Sequence, residues 1–240
     1  MKMWKFLSLL LTLIIITSFQ VNGGLSGIIP NNVLACKMSG MAFSGYVDHP
    51  SIAIGNSSQL LSQAIDEGWD GDGTPSDPII IDGLRITGSG DLIAIGHTNL
   101  HFKITNSNLI GGTTGIYFIN VSNGQVVNTV INGSNYQSSL NERYGIRMYG
   151  SDNCSVTETN VSSYDYGIEL EYSNNTTIDG SIVFDNHYGI YFHGSSQNMI
   201  SDSEVFDNTL HGITLTTRSS YNSIVNNKIH HNSFKGIWIK

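Results

Sequence analysis

Glu169 and Glu171 stand two residues apart in an alternating apolar and charged stretch of this sequence. On a β-strand, side chains two residues apart point to the same face and lie ~7 Å from each other. Carboxyl pairs separated by ~5–10 Å carry out glycoside hydrolysis. Arg147 occupies the position equivalent to Glu169 one repeat earlier, so these three residues are the catalytic candidates. The signal is weak, because any exposed alternating strand offers such a pair.

A row of aromatic and charged side chains follows from the same alternation. If Ile146, Ile168 and Ile190 point inward, the row points outward, where aromatic faces can stack on sugar rings and charged groups can bind hydroxyls. The alternative is that the row forms only exposed ladder pairs, each worth well under ~1 kcal/mol. A glycine disturbs the alternation beside a tyrosine column, so the sequence does not settle which way that column faces. The predicted ligand-binding residues are Tyr117, Arg147, Tyr149, Glu169, Glu171, Tyr191, His193 and Trp238, and the undecided column is Tyr144, Tyr166 and Tyr188.

A repeat positions these side chains. Repeats of 20–50 residues are typical of solenoids, in which each unit stacks on the next. Short alternating apolar segments separated by Gly, Asn, Asp and Ser predict short strands, and no window within the repeats has helical periodicity. The sequence therefore predicts an all-β solenoid of about six coils, with equivalent strands pairing in parallel at ~4.8 Å. The repeat is marked by glycine before isoleucine at Gly115, Gly145, Gly167, Gly189, Gly212 and Gly236.

Polar columns and the repeated glycine have structural explanations. Asparagine tolerates the left-handed turn conformation, which fits the column Asn123, Asn153 and Asn175. Stacked hydroxyl groups can hydrogen-bond along the ladder. The glycine before each isoleucine is expected to serve a turn that needs φ > 0. The hydroxyl column comprises Thr129, Thr159, Ser181 and Ser203.

The columns Asn-x-x-Ile-x-x-Ser/Asn-x-Val and the Tyr-Gly-Ile beat at Tyr166 and Tyr188 resemble right-handed parallel β-helix repeats. Such repeats occur in the carbohydrate-binding-and-hydrolysis superfamily and in the periplasmic copper-maturation protein NosD. The resemblance covers about residues 91–240 and implies a right-handed parallel β-helix, but it does not specify an activity. The polygalacturonase-like Asn-Thr-Asp, Asp-Asp and Gly-His-Gly clusters and the alginate-epimerase Asp-Pro-His signature are absent from the sequence.

The resemblance also bears on metals. The NosD likeness implies copper, and pectate-lyase-like members of the superfamily bind calcium through clustered aspartates. His187, His193 and His211 fall in neighbouring repeats, but their spacing does not give three or four convergent ligands. We therefore expect no metal site and no cofactor, with copper or calcium as the alternatives.

The segment SSQLLSQAIDEG, residues 57–68, predicts a short amphipathic helix that begins at a capping Ser57 and ends at Gly68. Placed over the first coil, the helix would shield a raw sheet end. A helix followed by a Gly/Asp/Pro loop and an Ile-rich strand resembles the cap of exported NosD-like proteins, especially archaeal ones. The apolar face of the helix is predicted to comprise Leu60, Leu61, Ala64 and Ile65.

The two ends of the chain differ. Residues 236–240 stop within a strand and show no capping segment, so self-association at this coil, or a missing segment, is expected. At the other end, two lysines precede a short apolar run that predicts an export signal. The predicted organisation is a signal peptide or N-terminal anchor at 1–24, an N-terminal extension at 25–56, the capping helix, loop and first strand at 57–90, and the β-helix at 91–240.

Charge and composition limit the partners. The net charge of −8 argues against nucleic acid, and it leaves the membrane as a partner only through an uncleaved N-terminal segment. In an exported chain Cys36 and Cys154 could pair, although two unpaired cysteines are equally consistent with the sequence. Some Asn-x-Ser/Thr sequons could carry glycans. These begin at Asn56, Asn120, Asn132, Asn153, Asn160, Asn174 and Asn175.

The sequence thus favours a secreted or cell-surface β-helix that binds or displays a ligand, with a polysaccharide or other glycan as the expected partner. A lyase, hydrolase or epimerase acting on polysaccharide through Arg147, Glu169 and Glu171 is the first alternative. A structural or NosD-like accessory protein is the second. No complete catalytic motif is present, so the balance is against an enzyme.

Overall fold

The computed structural model describes residues 45–134 and 142–240. These residues form one helix, α1 (Ser57–Glu67), and a long series of short strands. In chain order the strands are β1 (Val47–Asp48), β2 (Ile52–Ile54), β3 (Ile79–Asp82), β4 (Leu84–Gly88), β5 (Asp91–Thr98), β6 (Phe102–Thr105), β7 (Asn108–Gly111), β8 (Thr114–Val121), β9 (Gly124–Val127), β10 (Val130–Asn132), β11 (Tyr144–Tyr149), β12 (Ser155–Thr157), β13 (Asn160–Ser162), β14 (Tyr166–Glu171), β15 (Thr177–Asp179), β16 (Ile182–Phe184), β17 (Tyr188–His193), β18 (Met199–Ser201), β19 (Glu204–Phe206), β20 (His211–Thr216), β21 (Ser223–Val225), β22 (Lys228–His230) and β23 (Lys235–Ile239).

Every third strand belongs to the same parallel sheet, which is the topology of a coil. Sheet 1 runs β1-β4-β7-β10-β13-β16-β19-β22, sheet 2 runs β2-β5-β8-β11-β14-β17-β20-β23, and sheet 3 runs β3-β6-β9-β12-β15-β18-β21. Sets of three strands from β3–β5 to β21–β23 make about seven turns. The predicted all-β, right-handed parallel β-helix is therefore confirmed, with one turn more than expected.

The core consists of equivalent residues stacked turn on turn. Ile146 pairs in register with Ile116 and Ile168, and Ile168 pairs with Ile190. All four side chains are fully buried. Since one turn cannot bury its apolar side alone, each turn supplies the covering surface for the next. The predicted inward column is thus confirmed.

The glycine that precedes each isoleucine serves close packing, and our expectation of a positive φ at these positions was wrong. None of them has a left-handed φ. A Cβ at Gly167 would stand 2.6 Å from the carbonyl oxygen of Gly189 on the next turn and 2.7 Å from Val183 Cγ1. Gly145 and Gly189 are equally crowded, so a side chain does not fit where sheet 1 bends into sheet 2.

The polar columns behave as predicted at their backbone. Asn123, Asn153 and Asn175 all have φ between 53° and 68°, the left-handed region. In the hydroxyl column, the Ser181 side chain donates to the backbone carbonyl of Asp179, two residues earlier on the same turn. It accepts from the backbone N–H of Thr159 on the preceding turn. Each hydroxyl therefore satisfies a turn group that the strands leave free.

Helix α1 lies where the sequence predicts it, but its cap and its buried face differ from the prediction. Asn56, not Ser57, is the N-cap, because its side chain accepts a hydrogen bond from the N–H of Gln59 at 3.0 Å. Gly68 ends the helix in the left-handed conformation, as expected. Leu60 and Ala64 enter the core, whereas Leu61 and Ile65 are exposed. The buried stripe is thus narrower than the apolar pattern.

Several predictions concern the two ends of the chain, part of which lies outside the described residues. The signal at 1–24 and Cys36 lie outside the described residues, while Cys154 is buried in the core. Strands β1 and β2 fall within the segment predicted as an N-terminal extension. Among the described residues no helix has the length and apolarity needed to span a membrane. In the last turn Phe234, Ile239 and other apolar side chains are exposed.

Candidate functional site

The outer face of sheet 2 carries three columns of side chains. In the middle column Tyr117 pairs with Arg147, Arg147 with Glu169, Glu169 with Tyr191, Tyr191 with Thr214, and Thr214 with Trp238. One flanking column contains Tyr149, Glu171, His193 and Thr216, and the other contains Tyr144, Tyr166, Tyr188, His211 and Lys235. The structure therefore brings all eight predicted ligand-binding residues onto one face and places the undecided tyrosine column beside them.

Arg147 contacts two carboxylates and two aromatic rings of the same chain. Its Nε lies 2.9 Å from Oε2 of Glu169 without the alignment of a hydrogen bond, and a terminal nitrogen donates to Oε2 of Glu171 at 2.8 Å. Its guanidinium also lies over the ring of Tyr144, 4.4 Å from the centroid, and over that of Tyr117 at 5.5 Å. A ligand would have to compete with these contacts to reach the cation.

Glu169 is the most perturbed carboxyl group of this face. Only 6% of the residue is exposed. Burial raises the pKa of Glu169 to about 7, although Arg147 acts in the opposite direction, and Glu171 adds to the rise. A carboxyl group with such a pKa can hold or release a proton near neutral pH, which is a property of general acids and bases.

The tyrosine column is a stack of rings whose faces meet each other. The Tyr144 and Tyr166 centroids are 5.2 Å apart with 14° between the planes, and those of Tyr166 and Tyr188 are 5.0 Å apart with 6°. The Arg147 guanidinium lies on the outer face of Tyr144, while His211 lies 5.9 Å from Tyr188 at the other end. The column therefore presents ring edges rather than stacking faces to a ligand.

An open depression lies farther along the same face. It has a volume of about 490 Å³ and combines three aromatic rings, Tyr188, Tyr191 and Trp238, with polar groups. The Tyr191 hydroxyl accepts from Oγ1 of Thr216 at 3.3 Å, and His193 Nδ1 lies 3.4 Å from Oγ1 of Thr216. The depression is lined by Tyr188, Tyr191, His193, Thr216, Thr217, Trp238 and Lys240.

The depression groups only three of the predicted ligand-binding residues. Tyr191, His193 and Trp238 line it, whereas Tyr117, Arg147, Glu169 and Glu171 cluster around the arginine and Tyr149 packs edge-on against Tyr172. Sequence analysis did not single out Lys240, Thr216 and Thr217 as ligands. The two-residue alternation also places Thr216 and Lys240 in the outward row, but only the structure shows which part of the row is concave.

Histidines and sequons have local roles in the described part of the chain. His187 Nδ1 contacts Thr209, His193 contacts Tyr172, and no three His, Cys, Asp or Glu side chains converge within residues 45–134 and 142–240. Asn153 and Asn175 are exposed. Asn56 and Asn132 accept backbone hydrogen bonds, and Asn174 is held by Asp152 and Ser196 on both neighbouring turns.

Comparison with known proteins supports the fold. A family model described as "right handed beta helix region" matches residues 137–240. Among solved structures, the periplasmic alginate epimerase AlgG matches with a TM-score of 0.58 and 18% identity over 70% of this chain and 46% of its own. No curated protein sequence matches the chain.

Two further solved structures are similar at a lower level. The Dettilon tailspike protein has a TM-score of 0.47 and 15% identity over 86% of this chain and 41% of its own. The Azotobacter vinelandii mannuronan C-5 epimerase AlgE6 A-module has a TM-score of 0.43 and 16% identity, over 66% of this chain and 44% of its own. This chain spans less than half the length of each of the three proteins, and the likeness extends to the fold alone.

Proposed function

We propose that this protein binds carbohydrate on the outer face of sheet 2, in the depression between Tyr191 and Trp238. The observation that carries the proposal is one concave region in which three aromatic rings adjoin an imidazole, two threonines and a lysine. A sugar ring has apolar C–H faces and hydroxyl edges, so it is matched by aromatic side chains flanked by hydrogen-bonding groups.

The similar solved structures give secondary support. AlgG is a periplasmic alginate epimerase, and the mannuronan C-5 epimerase module and the tailspike protein show a weaker likeness. These proteins use the same fold, which makes a glycan a reasonable first class of ligand to test, although fold by itself does not determine function.

The proposed location is the cell surface or the extracellular space. The charged and apolar pattern of residues 1–24 is that of an export signal. A surface location would place the depression where extracellular polysaccharide is available. Detection of the full chain in the medium or the envelope fraction of its source cells, rather than the cytosol, is the corresponding test.

Binding is tested by titrating the full chain with an alginate hexasaccharide and with cellohexaose, using isothermal calorimetry. We expect at least one of them to bind and Tyr191→Ala to weaken binding about tenfold or more, because it removes a stacking ring. Tyr221→Ala is the matched control, since Tyr221 is 90% exposed and does not line the depression. Equal effects of Tyr191→Ala and Tyr221→Ala, or no binding of either sugar, would contradict the proposal.

A second candidate function is catalysis on polysaccharide around Arg147, Glu169 and Glu171. It is favoured by one observation, the pKa of about 7 that burial gives to Glu169, which suits a proton-transferring group. The engagement of Arg147 by both carboxylates weighs against it.

Turnover distinguishes the two functions. We expect the wild-type chain to release no reducing ends and no unsaturated products from alginate or cellulose oligosaccharides while it still binds them. Turnover that is abolished by Glu169→Gln, with binding retained, would establish the enzyme instead. Absence of both binding and turnover would leave a structural or accessory role.

A further inference from the structure

Two buried side chains beside the depression have polar atoms without hydrogen-bond partners. His211 is 3% exposed and Thr214 is fully buried. Both belong to β20 and lie on the outer face of sheet 2, where Thr214 stands in register between Tyr191 and Trp238. Neither Nδ1 of His211 nor Oγ1 of Thr214 has a partner. A buried polar atom that lost water without gaining a partner destabilises the folded state.

These unpaired atoms differ from the hydroxyl groups of the core column, which are hydrogen-bonded. Ser181 and Ser203 each donate to a backbone carbonyl and accept a backbone N–H. Buried hydroxyl groups of this column are therefore satisfied, and Oγ1 of Thr176, away from sheet 2, shares the unpaired state of Thr214. A different explanation is needed for two unpaired atoms on one strand of the candidate face.

Aromatic rings pack around His211, and Thr214 stands between two aromatic residues in the strand register. The Trp238 ring centroid lies 4.6 Å from that of His211, and the rings of Phe234 and Tyr188 lie at 5.2 and 5.9 Å. Trp238 and Tyr188 also line the depression. Rotation of the Trp238 side chain would therefore extend the depression over His211 and Thr214.

We infer that His211 and Thr214 are ligand-binding residues of a subsite that opens when Trp238 turns away, and that they bind neighbouring hydroxyl groups of one sugar residue. This inference rests on the proposed carbohydrate-binding function. A threonine hydroxyl can donate and accept, and so can a sugar hydroxyl, so Thr214 gains the partner it lacks. Nδ1 of His211 donates or accepts according to its tautomer.

The charge state of the imidazole fits this role. Burial lowers the pKa of His211, and Lys235 and His187 lower it further. The ring is therefore neutral at pH 7 and adds no charge to the subsite. A neutral imidazole beside a hydroxyl recognises the hydroxyl pattern of a sugar rather than an acidic substituent.

The experiment compares affinity and stability in apolar variants of similar shape. Thr214→Val and His211→Phe are titrated with alginate hexasaccharide and cellohexaose, and their Tm values are measured without sugar. We expect each variant to bind roughly 5–10-fold more weakly, which is the loss of one neutral hydrogen bond. We also expect Tm to rise by about 2–4 °C because the unpaired atom is removed.

Thr176→Val is the matched control. Thr176 is 1% exposed and its Oγ1 is also buried without a partner, but it lies in the turn before β15, away from sheet 2. This variant should gain stability and keep wild-type affinity. If Thr214→Val and His211→Phe likewise gain stability and keep wild-type affinity, the inference is overturned. Absence of binding by the wild-type chain would instead overturn the proposed function.

The opening of Trp238 has its own readout. In a Trp4→Phe, Trp69→Phe background Trp238 is the sole remaining tryptophan of the sequence. Acrylamide quenching of its fluorescence should increase when the sugar that binds is added. Unchanged or reduced quenching on binding would contradict the movement of the ring.

Discussion

Arg147 contacts two carboxylates and two aromatic rings, which makes it an internal support of the outer face rather than a free ligand group. Because its partners Glu169 and Glu171 belong to the next turn, the arginine links adjacent turns through side chains as well as through the sheet. Removing it would leave a buried carboxylate without its counter-charge, an expensive arrangement in a protein interior.

Glu169 leads to a prediction about pH. Its pKa is about 7 in the folded state, against an ordinary value of 4.5. Between these values the folded state holds a proton that the unfolded state has lost, so the free energy of unfolding decreases as pH rises from ~4.5 to ~7. Above pH 7 the cost is complete, at about 3 kcal/mol at most.

Urea unfolding at pH 5 and pH 8 measures this effect. We expect Glu169→Gln to lose less stability between the two pH values than the wild-type chain does. Glu158→Gln serves as the control because Glu158 is an exposed glutamate on another face. An unchanged pH dependence in Glu169→Gln would show that burial does not govern this carboxyl group.

The sequence predicted which face of the sheet a side chain points to, but it did not predict how deeply that side chain is buried. The two-residue period placed Arg147, Glu169 and Tyr191 in one outward column, as the register shows. It could not reveal that Glu169 and Thr214 are buried there. Exposure depends on the sizes of side chains packed around a position, which alternation does not encode.

At the scale of the element, the repeated glycine is the point most open to test. Gly167→Ala would place a Cβ 2.6 Å from the Gly189 carbonyl oxygen and 2.8 Å from Nδ2 of Asn186. Neither neighbour can retreat without disturbing its own turn, so we expect a destabilisation of about 1–3 kcal/mol from overpacking. Chemical denaturation of the variant measures it.

Gly90→Ala is the matched control for that change. Gly90 precedes β5, has no left-handed φ, and has open space where its Cβ would be. The control should change stability by less than about 0.5 kcal/mol. Equal stability of the two variants would refute the packing explanation.

The same elements show why a correct pattern led to a wrong reason. Glycine before isoleucine marked each turn reliably, yet a one-letter repeat cannot distinguish a backbone that needs positive φ from one that meets another backbone closely. Helix α1 was predicted at its observed position because its apolar spacing and its terminating Gly68 bracket it, although Asn56 rather than Ser57 is the N-cap. Its exposed Ile65 depends on how the helix packs on the first turn.

For the whole molecule, the repeat predicted the fold because a solenoid needs only nearest-neighbour information. Equivalent residues that recur once in every repeat predicted the parallel pairing, the inward isoleucines and the hydroxyl column. A concave region requires more, since the depression beside Trp238 arises from differences between turns rather than from what the turns share. Function in such a fold therefore lies in the departures from the repeat.

Each turn contributes one strand to sheet 2, and this arrangement has an evolutionary consequence. From Tyr117 to Trp238 the middle column advances by one residue per turn, so it extends over about 24 Å at ~4.8 Å per step. A polymer lying along this direction would meet residues contributed by successive repeats, one repeat for each step. Duplication of a single segment would lengthen the face by one step, and substitution within it would alter recognition of one unit of the polymer.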